Sequence, residues 1–326
     1  MQSGLPTIDD IVSAAGRLEG LAVRTPLVRN DHLDTLTGAQ VFLKPECLQR
    51  TGSFKFRGAY NAISTLDEES RKKGVVACSS GNHAQGVAEA ARLFGIAATI
   101  VMPADAPAIK IARTKRSGAK IVFYDRSSED RDEIALSITR ETGAALIHPY
   151  DNPFVMAGQG TCGLEIAEQL SGLGHPPDRV LVCTGGGGLT AGVSIAIHDR
   201  FPDCTIHSVE PAGFDDHARS LKTGERQSNP SNAGSACDAL LSPTPGELTF
   251  AVNRDHLDSG LVVTDEEAVA AMRFAFNELK LVVEPGGAVA LAAMLQAGKR
   301  WRGETIAVII SGGNVDPELF SRVIAA

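Results

Sequence analysis

Short apolar, β-rich runs alternate with helical stretches along most of the chain. VVACS (75–79), ATIVMP (98–103), KIVFY (120–124) and ALIHP (145–149) read as strands. Between them, 85–94 and 109–117 read as helices, each stopping at a glycine, Gly95 and Gly118. The rhythm resumes with RVLVCT (179–184), TIHSVE (205–210), GLVVT (260–264) and TIAVIIS (305–311). Such alternation predicts parallel βαβ units and an α/β fold. Thr264 and Glu267 form a capping-box pattern, and Val269, Met272, Phe276 and Leu279 follow at the spacing of a buried helical stripe. The segment 222–242, with Pro230 inside it and Pro243 and Pro245 just beyond, reads as a long surface excursion. No repeat of 20–50 residues and no low-complexity tract interrupts the pattern. Two lobes follow: a small one over 75–149 and a large one from 1–74 with 150–326, with a ligand site expected between them.

Composition narrows the choice of partners. At 326 residues, with 43% hydrophobic and 21% charged positions, the chain suits one large or two medium domains and argues against disorder. A formal charge of −8 without any basic run makes nucleic acid and membrane unfavourable partners, but leaves room for a small anion at a local positive site. Cys47, Cys78, Cys162, Cys183, Cys204 and Cys237 contain no CxxC pair, so buried reduced thiols in a cytoplasmic protein are expected rather than a thiolate metal cage. The opening MQSGLPTIDD lacks a signal-peptide pattern, and no apolar run is long enough to span a bilayer.

Two stretches carry chemistry. CTGGGGLTAG places Gly185, Gly186, Gly187 and Gly188 after a strand and before the helical stretch 189–198. Glycines there let backbone N–H groups face outward at a helix N-terminus, a site for a phosphate. The loop is neither a GxxxxGK[ST] nucleotide loop nor a spaced GxGxxG dinucleotide loop, and the alternative is a tight strand–helix turn. TGSFKFRG sets Lys55 between Phe54 and Phe56 in a glycine-bounded loop. A desolvated lysine is a better nucleophile than a surface one. Lysine, phosphate cradle and apolar wall together suggest pyridoxal phosphate bound covalently through Lys55; the plainer reading of the lysine is a surface ion pair.

The ordered segments KPECLQRTGSFKFRGA, SSGNHAQGVA, AGQGT, GGGGL and SGGNVD resemble the pyridoxal-phosphate-dependent serine/threonine dehydratase and serine racemase family, which includes 3-hydroxyaspartate dehydratases. The resemblance spans residues 10 to 320 and looks like the short form without a C-terminal regulatory domain. It implies a fold-type-II enzyme, tryptophan-synthase-β-like, with two lobes that each hold a largely parallel twisted sheet flanked by helices. Lys55 matches the cofactor-bearing lysine and base; Gly185 to Gly188 with Leu189 match the phosphate loop. Phe54 should lie against the ring, Asn82 should hydrogen-bond the ring hydroxyl, and Ser311 should face the pyridine nitrogen. A hydroxyl at that nitrogen cannot stabilise a pyridinium as a carboxylate would, which favours prompt elimination of a β leaving group. Ser79, Ser80, Gly81, Asn82 and His83 suit the substrate carboxylate, and Ser80 matches the second base of racemising members. The family places a divalent cation (Mg²⁺, Ca²⁺ or Mn²⁺) at Glu210, the Phe214 carbonyl and Asp216; the alternative is a solvated acidic turn. Other histidines, among them His148 and His217, show no ligand spacing and read as structural or solvated.

Arg131 aligns with an arginine that reaches the substrate side chain, which would favour 3-hydroxyaspartate over threonine or serine; its plain reading is an exposed residue among acids. Ala239 stands where many relatives have glycine, so the pocket shape is open to change. The expected activity is dehydration of a β-hydroxy amino acid to a 2-oxo acid and ammonia by a homodimer. Rivals are a racemase using Lys55 and Ser80, a non-catalytic phosphate-ligand binder, and, more weakly, a nicotinamide oxidoreductase.

Overall fold

A computed structural model describes residues 4–106, 108–125, 128–231 and 233–325. Among them, nine strands form two sheets. The larger sheet has the order β1-β9-β6-β7-β8, from β1 (Gln40–Pro45), β6 (Arg179–Cys183), β7 (Thr205–Pro211), β8 (Ser259–Val263) and β9 (Thr305–Ile310). The smaller has the order β4-β3-β2-β5, from β2 (Val75–Cys78), β3 (Ala98–Pro103), β4 (Lys120–Tyr124) and β5 (Ala145–Leu146). Every pairing between these strands is parallel. Helices cover parallel sheets on both faces, so central strands read as unbroken apolar runs. In β9, all residues from Ile306 to Ile310 are buried. The smaller sheet comes from one continuous stretch between β1 and β6.

Several expectations change in detail. The strand expected over 145–149 pairs only at Ala145 and Leu146; beyond it His148 Nδ1 accepts from the Asp151 N–H (2.8 Å) and turns the chain. The capping box at Thr264 is present, but the buried face of helix Asp265–Leu279 is Ala268, Ala271, Met272 and Ala275. Small residues let it lie close to helix Pro285–Ala297, while Phe276 remains 36% exposed, edge-on to Phe320. The excursion after Lys222 is not all surface: Cys237 and Leu240 are buried, and Asn229 bonds back to Asp216. Lys55 does not sit in a loop but opens helix Lys55–Ser64. No helix among the described residues is long and apolar enough to cross a membrane.

Candidate active site

The strands β2, β6 and β9 end around one pocket of about 200 Å³. Ser79, Gly185 and Ser311 follow their carboxyl ends, the edge at which open parallel sheets take ligands. Its wall brings together Phe54, Lys55, Ser79, Ser80, Gly81, Asn82, His83, Arg131, Gly185 to Leu189 and Ser311, residues scattered over more than 250 positions.

Lys55 Nζ donates to the Pro149 carbonyl (2.8 Å) and lies 5.1 Å from the Phe54 ring centroid. Burial holds its amine down at about 8. Phe56 points away, fully buried in the core of the smaller sheet, so only Phe54 reaches the pocket. One helical turn is anchored by Arg57, whose guanidinium bonds Glu46 (2.7 and 2.8 Å), Glu165 (2.7 and 3.0 Å) and Thr161 (3.2 Å). Every charge in this buried cluster has an opposite partner, which fixes the direction in which the lysine leaves its helix.

Between β6 and helix Gly188–Arg200, the N–H groups of Gly185 to Leu189 meet no acceptor among the described residues, and all five residues line the pocket. Open donors at a helix N-terminus fit a phosphate. The glycines are also required sterically. A Cβ on Gly186 would stand 2.3 Å from the Tyr150 ring; Gly187 has φ +91°, and its Cβ would stand 2.4 Å from His217 Nε2.

Opposite, Ser79 Oγ accepts from the Gly81 N–H (3.1 Å) and shapes the turn into helix Asn82–Phe94. Asn82 Nδ2 donates to Glu284 Oε1 (2.6 Å), and its oxygen accepts from Asn314 (2.8 Å). Burial raises Glu284 to about 7. His83 is pulled down to about 3 by burial and then by the Lys55 charge, and bonds the Ile147 carbonyl. At the mouth, Lys110 is paired with Asp238, and Arg131, half-exposed, stands 3.7 Å from Asp132. Ala239 lines the wall beside them.

Tyr150, Glu284, Lys110 and Asp238 were not singled out in the sequence. Glu284 had a faint signal, an acid directly before the Pro-Gly-Gly that opens helix Pro285–Ala297; the others reach the pocket only through tertiary packing.

Glu210, Asp216 and His217 gather behind the phosphate loop, all three buried, each with a ligand atom within 4.8 Å of the others. Their burial sets aside the alternative of a solvated acidic turn. Glu210 accepts from the His217 and Ala218 N–H groups (2.8 Å each). Burial first, then its acidic neighbour Asp216, pushes the Glu210 carboxyl well above its ordinary range; burial does the same to Asp216. Phe214, also buried, turns the chain between them, its N–H donating to Pro211 O (3.0 Å).

The family described as pyridoxal-phosphate dependent enzyme matches residues 18–312. An L-threo-3-hydroxyaspartate ammonia-lyase of Pseudomonas sp is 47% identical over 98% of this chain and 99% of its own length. A serine racemase of Schizosaccharomyces pombe is 39% identical over 98% of both. A solved threonine deaminase, from the organism abbreviated T.th., superposes with a TM-score of 0.90 at 42% identity, over 95% of this chain and 99% of that one.

Proposed function

Because the chain belongs to the pyridoxal-phosphate-dependent enzyme family, with the two-sheet architecture of fold type II, we propose that it is an ammonia-lyase that eliminates water from a β-hydroxy amino acid. The observation that carries this reading is a desolvated lysine amine sharing one pocket with a row of unpaired backbone donors. The stretch 75–149 would carry substrate contacts, and 1–74 with 150–326 the cofactor. Gly185 to Leu189 would hold the phosphate, Phe54 the ring face, Asn82 the ring hydroxyl and Ser311 the ring nitrogen.

When bound, the pyridoxal group supplies a sink for the electrons left at Cα. The protein does the rest. Ser79 to His83 hold the substrate carboxylate at the turn into helix Asn82–Phe94 and orient the Cα–H bond. The amine of Lys55, lowered toward neutrality by burial, takes the Cα proton. The β-hydroxyl leaves with a proton as water. The released enamine tautomerises and is hydrolysed to a 2-oxo acid and ammonia, returning that water. Arg131, at the mouth, would pair with a second carboxylate and make 3-hydroxyaspartate the preferred substrate. Ser80 in the pocket, with the 39% identical serine racemase, supports racemisation by Lys55 and Ser80 as the second reading.

A panel of threonine, serine and 3-hydroxyaspartate, assayed for 2-oxo acid with wild type and Arg131→Ala, tests both levels. Selective loss on 3-hydroxyaspartate is expected. Equal loss on all three defeats the role of Arg131, and inverted residual substrate without 2-oxo acid gives the racemase.

A divalent cation would be held by Glu210, the Phe214 carbonyl and Asp216, where Asp216 Oδ2 is buried without a partner. Exhaustive chelation should then lower stability or activity, and no change in either removes the site. A homodimer is the expected assembly.

A further inference from the structure

Behind the phosphate loop, three buried ligand atoms converge. His217 Nδ1 lies 3.8 Å from Glu210 Oε1 and 3.9 Å from Asp216 Oδ2. Nδ1 and Asp216 Oδ2 are both buried without a hydrogen-bond partner. Leaving two such atoms unpaired is costly unless something sits between them.

The far edge of the imidazole faces the loop. Nε2 accepts from the Asn253 amide N–H (3.1 Å), and the Asn253 amide oxygen is buried without a partner. A proton on Nδ1 has no acceptor within hydrogen-bond reach, the carboxylate oxygens standing at 3.8 and 3.9 Å. With the Asn253 amide turned over, its oxygen would accept a proton on Nε2 and leave the Nδ1 lone pair facing the carboxylates. Histidines that bind metals are commonly held in this way, one nitrogen on a hydrogen-bond acceptor and the other free. Two donors about 2.1 Å from a shared ion lie no more than about 4.2 Å apart, and both measured separations fall under that ceiling.

Resting on the cation reading above, we propose that His217 Nδ1 is itself a ligand of that cation, making the site a nitrogen–oxygen set. Imidazole draws selectivity toward Mn²⁺, Fe²⁺ or Zn²⁺ and away from the hard ions Mg²⁺ and Ca²⁺. It also joins the ion to the phosphate loop through one side chain, since the same ring packs beneath Gly187.

The test uses holoenzyme stripped of metal by a chelator, dialysed free of it and titrated with Mn²⁺. Pulsed EPR should show a directly bound nitrogen in wild type, and Mn²⁺ should bind more tightly than Mg²⁺. His217→Gln should abolish the nitrogen coupling and weaken Mn²⁺ binding by at least about tenfold. Mn²⁺ bound without nitrogen coupling overturns the ligand role and leaves the cation reading standing. No Mn²⁺ bound at all overturns both. The wild-type spectrum decides even if the variant fails to fold.

Discussion

Gly186→Ala should damage cofactor binding through a single clash. The φ of Gly186 lies outside the left-handed region, so the backbone itself accepts alanine. The new methyl, however, would stand 2.3 Å from two carbons of the Tyr150 ring and 2.5 Å from a third. That is more than about 1 Å short of an ordinary carbon contact. Tyr150 has little room to retreat, because His148 packs edge-on to it at 4.7 Å and Pro149, beside it, holds Lys55. Overpacking of this kind costs about 1–3 kcal/mol, or roughly 5- to 150-fold in an equilibrium constant. The methyl sits on the loop whose open N–H groups would hold the phosphate, so the loss should appear mainly in affinity for pyridoxal phosphate. Absorbance titration of cofactor-free protein measures it, with thermal melts reporting any global effect. Tyr150→Ala removes the obstacle, and the double variant should bind more tightly than Gly186→Ala alone. Wild-type affinity in Gly186→Ala, or a double variant no better than the single one, would refute the steric account.

Two further outcomes follow from buried charge. Glu284, held near 7 by burial in the folded chain, titrates near its ordinary 4.5 when unfolded. Between those values the folded state binds more protons, so this group's contribution is present below pH 4.5 and lost as pH rises through 7. Urea melts of cofactor-free protein at pH 5 and pH 8 should show a larger fall in wild type than in Glu284→Gln, and parallel falls would count against the shift. Arg57→Met leaves Glu46, fully buried, without its cation. It should cost about 3–5 kcal/mol, partly recovered by adding Glu46→Gln; a loss below about 1 kcal/mol would mean that the cluster relaxes.

Much of the larger architecture is legible because parallel strands buried on both faces leave uninterrupted apolar runs, as in β6 and β9. β1 is the exception, and Lys44 explains it. A charged residue within a strand looks like a surface position, yet Lys44 is fully buried, its amine satisfied by Glu165 (2.6 Å), Gln169 (3.0 Å) and the Thr25 carbonyl (2.7 Å). Two of those partners lie more than 120 positions away, where no local pattern points. The same holds within the pocket. Lys55 and the tetraglycine turn announce themselves by composition, whereas Tyr150 and Lys110 acquire meaning only once the two sheets face each other. In helix Asp265–Leu279 a search for large apolar residues misleads, because alanines make the close approach.

The short connection from His148 to Asn152 has a consequence for anyone redesigning this scaffold. Its Pro149 carbonyl holds the reactive amine, and its Asp151 carboxylate caps helix Glu247–His256 at the Glu247, Leu248 and Thr249 N–H groups (3.1, 2.8 and 3.2 Å). That helix in turn grips the Gly186 and Gly187 carbonyls through Thr249 and Asn253. Five consecutive residues thus govern both extremities of the cavity. Grafting a foreign loop there would retune nucleophile and anion cradle together, so new specificities are easier to engineer from the opposite wall.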